Sequence, residues 1–214
     1  MDWSTSTAAL MPGLDGVVLR QLFLVESPQS AADVHRRAGT GSLNGVRYAL
    51  DRFAEQGLVE VTKVGNTYGY SLNPDHLVYP PLAAAFEALD PWGELVRRLQ
   101  DLVEEQMRSA PQGAWVSLSV YGSVARREAG TGSDVDLLLV SSEDPDALTR
   151  VDGLVERLHR MVPRWTGNDA HVYRATERSL ARAVRDADPI VTSWRADAIT
   201  VIGRDVRAML TATA

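Results

Sequence analysis

The stretch AWVSLSVYGSVARREAGTGSDVDLLLV, residues 114–140, constrains the fold more than any other part of the chain. Val116, Leu118 and Val120 alternate with serines, the period of a strand with one apolar face. That strand runs straight into Gly122-Ser123. Glycine there lets the backbone approach another group closely, and a helix start would aim free N–H groups at an anion. A short basic segment follows with Arg126 and Arg127, then a Gly130-Thr131-Gly132-Ser133 turn, then a second strand over 134–140. Strand alternation carries Asp134 and Asp136 to one face, about 6–7 Å apart along the backbone. Two carboxylates that close repel each other unless a cation sits between them. Hard oxygen pairs suit Mg²⁺, which keeps water and substrate phosphates as its other ligands. An Asp-x-Asp pair alone is also found as a turn cap or a solvated strand end. Here the spacing, residue types and flanking strands agree.

The bulk numbers narrow the class. A chain of 214 residues, 45% hydrophobic and 23% charged, can bury a core without staples. It has no cysteine, which excludes disulfides and thiolate metal sites and points to a reducing compartment. No basic-then-apolar leader opens the sequence, and no apolar run approaches the roughly 18 residues a bilayer span needs, so a cytoplasmic protein with no membrane role is expected. The formal net charge of −6 argues against a globally basic nucleic-acid coat, although not against a small DNA-reading surface.

The clearest seam is SLNPDHLVYPPLAA, residues 71–84, where prolines interrupt periodic structure. Before it, Leu14, Val17, Val18, Leu22 and Phe23 keep helical spacing, and Ser30 caps a second helix with Asp33 in its first turn. Ser42 caps a third, whose stripe is Leu43, Val46, Leu50 and Phe53 and whose end is Gly57. LVEVTKVGNTYGYSLN then alternates, turns near Gly65-Asn66 and returns, a hairpin signal. After the seam, helices are predicted over 82–89 and from 92 to about 107, with Asp90 as N-cap and Pro91 at the first position. Core packing or a connecting and dimerising role would both account for them. Beyond the acidic strand, a helix is predicted over 152–162, a strand over 166–176, a helix capped by Thr176, and a closing helix and strand in DADPIVTSWRADAITVIG. The predicted organisation is α+β with two domains: 1–75, a helical connector at 76–110, and 111–214.

The segment SLNGVRYALDRFAEQGLVEVTKVGNTYGYSLN, with the two helices before it, resembles the winged helix-turn-helix of bacterial MarR- or ArsR-like regulators over residues 13–75. The resemblance implies that the third helix enters the major groove. Asn44, Arg47 and Tyr48 would then face double-stranded DNA, with Arg52 and wing Lys63 near phosphates, since Asn and Arg suit bidentate contacts to base edges. Residues 1–75 nonetheless hold six Lys+Arg against eight Asp+Glu, the reverse of the balance usual in phosphate-binding modules. Winged helices also dock proteins. A homodimer would double the weak basic footprint.

YGSVARREAGTGSDVDLLLV resembles the signature of the DNA polymerase β nucleotidyltransferase superfamily, in its small, minimal branch, and the likeness extends over about 92–205. It implies a mixed sheet flanked by helices. Gly122 and Ser123 would hold the phosphates of an NTP, Arg126 would assist (a solvated face being its alternative), and Asp134 and Asp136 would bind Mg²⁺. A third carboxylate on a later strand would act as base. This chain offers Asp169 at that strand's start and His171 in its middle. Asp169 is taken as the third residue. If His171 holds the acid's place, the site binds nucleotide without fast turnover, because histidine does not replace a carboxylate on Mg²⁺. The reading is transfer of a nucleoside monophosphate from NTP to a hydroxyl acceptor, on a protein, a small molecule or RNA. The resemblance favours an antitoxin-like protein acting on a partner toxin. The alternative is a transcription regulator whose second domain only senses nucleotide.

Overall fold

The computed structural model describes residues 1–65 and 67–212, so Asn66 of the expected hairpin turn lies outside the described residues. The chain divides into two compact units, Thr5–Asp90 and Met1–Ser4 with Pro91–Ala214.

In the first unit, α1 (Leu14–Phe23), α2 (Ala31–Ala38) and α3 (Leu43–Glu55) precede an antiparallel pair, β1 (Val59–Val64) and β2 (Thr67–Leu72), and then α4 (Tyr79–Glu87). The predicted caps form: Ser30 accepts from the Asp33 amide (3.2 Å) and Ser42 from the Gly45 amide (3.1 Å). Gly57, at φ 78°, takes the left-handed turn just past α3, where a side chain would be strained. The stripe residues Val18, Leu22, Val34, Val46, Leu50 and Phe53 meet in one core with Tyr70 and Phe86. The seam prolines do not break structure here. Pro80 and Pro81 fall in the first turn of α4, where a missing N–H costs nothing, and Pro74 lies in the turn before it.

The second unit contains α5 (Pro91–Met107), β3 (Val116–Tyr121), α6 (Gly122–Ala125), β4 (Val135–Ser141), α7 (Pro145–Thr166), β5 (Ala170–Thr176), α8 (Glu177–Arg185), α9 (Pro189–Asp197), β6 (Ile199–Ile202) and α10 (Val206–Ala212). The four strands lie in the order β5-β4-β3-β6; β3 runs antiparallel to β4 and β6, and β4 parallel to β5. This is the mixed, helix-flanked sheet expected. Val116, Leu118, Val120, Leu137 and Leu139 face α5 and α7, whereas Tyr121, Leu138 and Val140 face α8, α9 and α10. The aliphatic run after Asp136 therefore serves two cores at once, which explains why it does not alternate.

Three expectations are corrected. The stretch 76–110 is not a separate connector: α4 belongs to the first unit, where Arg20 donates to the Phe86 carbonyl (2.6 Å), and α5 lines the second unit's core through Leu95, Leu99 and Val103. The boundary thus falls between Asp90 and Pro91. The helix expected at 152–162 is the full α7, begun by Asp144, whose side chain accepts from the Asp146 amide (2.9 Å), and by Pro145. Strand β5 starts at Ala170, which leaves Asp169 just outside it.

Candidate active site

The carboxylate edge sits where β3 ends beside the start of β4. Tyr121 and Asp136 are register partners, so the chain turns at Gly122 directly against the Asp136 side chain. Gly122 has φ 72°, and a Cβ built there would lie 2.5 Å from Asp136 Oδ2. Only glycine meets both conditions, one of backbone conformation and one of space. Ser123 follows, half-buried at the start of α6.

Asp136 is half-buried, and burial pushes its carboxyl above the ordinary value. A hydrogen bond from His171 works the other way, and the charges of Asp134 and Asp197 push it up further. Asp134 is exposed in the turn just before β4. Asp134 and Asp197 thus add negative charge beside Asp136, which His171 partly offsets.

The parallel pairing of β4 with β5 decides which residue stands beside Asp136. The partner is His171, whose Nδ1 lies 3.4 Å from Asp136 Oδ1. Asp169 is exposed one residue before the first pair, Val135 with Ala170, and its backbone carbonyl accepts from the Val135 amide (2.7 Å). Asp169, expected as the third carboxylate, therefore stands level with Asp134, two residues before the position that faces Asp136.

Asp197, the last residue of α9, was missed from sequence. Its carboxylate accepts from the Gly122 amide (3.2 Å), pairs with Arg126, and is only 10% exposed. The signal was an acid at the mouth of an apolar strand, the pattern that singled out Asp134 and Asp136. Arg126, expected at phosphates, is engaged by Asp197 and by Glu128 (2.8 Å). Arg127, at φ 63°, stacks its guanidinium 3.8 Å over the Trp92 ring.

Among the described residues, no group of three or more His, Cys, Asp or Glu side chains is arranged to hold a metal ion. The donor set still fits Mg²⁺ held by one or two carboxylates with substrate phosphates completing its shell, since Asp134 and Asp136 are hard oxygen donors close enough for the charge of one to act on the other.

In the first unit, Asn44, Arg47, Tyr48 and Lys63 are all exposed. Arg47 and Tyr68 line a groove of about 710 Å³ with the start of α2. Arg52 does not share that freedom. It pairs with Asp15 and lies 5.2 Å from the Phe53 ring centroid, so its expected place at a phosphate is already filled within the unit.

The mixed sheet flanked by helices fits a nucleotidyltransferase-like second unit. Residues 92–165 match the family model described as "Putative nucleotidyltransferase DUF294", from the second residue of α5 nearly to the end of α7. The match takes in Gly122, Ser123, Asp134 and Asp136, and stops before Asp169, His171 and Asp197. No curated protein matches the chain. Among the described residues, no helix is long and apolar enough to cross a membrane.

Proposed function

We propose that the protein transfers a nucleoside monophosphate from an NTP to a hydroxyl acceptor, with Mg²⁺ held by Asp134 and Asp136. One observation carries the reading: the Gly122 backbone lies against Asp136, so an anion at the Gly122-Ser123 turn is brought to the carboxylate edge. Mg²⁺, when bound, neutralises charge on the attacked phosphate and on the departing pyrophosphate. The chain's own groups do the rest. The Ser123 hydroxyl orients phosphate oxygens, the Gly122 amide being held by Asp197. His171, exposed and beside Asp136, is placed to take the acceptor's proton. Acceptors in this reading include a hydroxyl on a partner toxin protein.

The first unit is a winged helix-turn-helix that reads double-stranded DNA through Asn44, Arg47, Tyr48 and Lys63, as a homodimer. What supports this is the order of three helices and a hairpin, with those side chains exposed on α3 and β1.

A second reading, a regulator that binds nucleotide without transferring it, is favoured by His171 standing beside Asp136 where a third carboxylate was expected. One experiment separates the two. The protein is incubated with Mg²⁺, each labelled NTP and a cell lysate, with Asp134→Ala/Asp136→Ala as control. Label on an acceptor, lost in the control, supports transfer; nucleotide binding with no label transfer under any NTP rejects it. For DNA, a gel shift with the protein's own promoter region should weaken in Arg47→Ala/Lys63→Ala, and undiminished binding would contradict the docking.

A further inference from the structure

Asn168, in the turn between α7 and β5, lies beyond the matched stretch and has no part in the site described above. Its side chain is 2% exposed, yet every polar atom on it is used. Nδ2 donates to the carbonyls of Gly130 (3.1 Å), Thr131 (3.4 Å) and Ser133 (2.8 Å). Oδ1 accepts from the Met1 nitrogen (2.7 Å) and from the Trp3 indole (3.3 Å). Carbonyls only accept and an indole N–H only donates, so the carboxamide has one possible orientation.

The three carbonyls belong to the Gly130–Ser133 turn that delivers Asp134. Two of its four residues are glycines, so its backbone has little intrinsic preference for one path. Asn168 supplies that path, and the Asp169 carbonyl next to it holds the Val135 amide just beyond Asp134. Trp3 closes the arrangement: its ring is buried in the core, its indole orients Asn168, and its backbone amide donates to the Ala129 carbonyl (2.8 Å) at the turn's entrance.

We propose that Asn168 is the positioning residue of the Asp134–Asp136 edge and that Met1–Ser4 is a strap that holds it in place. This rests on the transferase reading only for its effect on activity. The test uses the full chain with Asn168→Asp, which turns an oxygen onto three carbonyls, and Trp3→Phe, which removes one N–H and keeps the buried ring. Hydrogen exchange is followed at amides 130–136 and in β3, together with kcat and the NTP KM for Mg²⁺-dependent label transfer.

Loss of one such bond corresponds to about a fivefold change. Exchange at 130–136 should therefore rise about fivefold in Trp3→Phe and at least tenfold in Asn168→Asp, with β3 unchanged. kcat should fall in the same order while KM for NTP holds. Unchanged exchange at 130–136 in both variants overturns the proposal. So does equal acceleration in β3, which would make Asn168 and Trp3 ordinary core residues. Should the unaltered protein transfer no label, the transferase reading falls, and the exchange measurement still decides whether the strap holds the turn.

Discussion

At the residue scale, the site is a set of like charges placed close together, and position 171 decides what that costs. Asp136's folded-state carboxyl lies above its ordinary value, chiefly through burial. A raised acid favours the fold below its unfolded value and loses that contribution as pH rises through the folded value, so at neutral pH its charge works against stability. His171 eases this from 3.4 Å. Replacing it by Asp removes a donor and adds a second negative charge beside the first. His171→Asp should therefore melt a few degrees lower than the unaltered protein without Mg²⁺, about 1 kcal/mol in a unit of this size. Added Mg²⁺ should recover that loss and raise the variant's melting temperature more than the parent's. Equal Mg²⁺ shifts in the two proteins, read by thermal denaturation, would show that position 171 does not face the metal.

At the scale of elements, α5 shows how local charge supports a helix that also carries core. Glu94 lies in its first turn, where a negative charge favours the helix dipole. Hydrogen bonds from Arg97 and then Arg98 hold its carboxyl down to about 2, from an ordinary 4.5. A depressed acid contributes stability above its unfolded value and loses it as pH falls through the folded one. The urea midpoint of Glu94→Gln should thus sit slightly below the parent's from neutral pH to about 5, with the gap closing between 4.5 and 2. Because the group is exposed, added salt should shrink the gap as well. A gap that widens on acidification would contradict the assignment. The same local character explains what sequence could reveal. Caps such as Ser30, Ser42 and Thr176 act within three residues, and the alternation of β3 is local, so these elements were legible. Asp136 and Gly122 were legible because the Gly-Ser and Asp-x-Asp patterns mark both sides of one turn. Which of Asp169 and His171 stands beside Asp136 was not, because that depends on a register set across α7. Arg52 and Arg126 looked available for phosphates because their partners, Asp15 and Asp197, are distant in sequence. Asn168 gave no periodic signal at all, since its partners are turn carbonyls and the distant Trp3 indole.

At the scale of the whole molecule, the second unit is discontinuous in sequence: Met1–Ser4 packs with Pro91 onward, while Thr5–Asp90 forms its own core. Trp3 is 6% exposed and belongs to the core of the second unit, so a chain beginning at Pro91 leaves an indole-sized gap beside Asn168. Loss of a large buried side chain costs about 3–5 kcal/mol. The position of the gap adds to this, because Asn168 Oδ1 loses its indole donor when Trp3 is absent. Two shortened chains test this. One begins at Pro91; the other joins Ser4 to Pro91 through about 15 glycine and serine residues, whose flexible reach is roughly 20 Å. The joined chain should keep the cooperative melting of the second unit, and the chain beginning at Pro91 should melt well below it or fail to fold. Substituting Trp3→Ala in the joined chain should return it to the lower value, which separates the indole's contribution from that of merely carrying four more residues. Equal melting of all three would mean that the unit's core closes without Trp3, and that the turn before Asp134 is held by Asn168 alone.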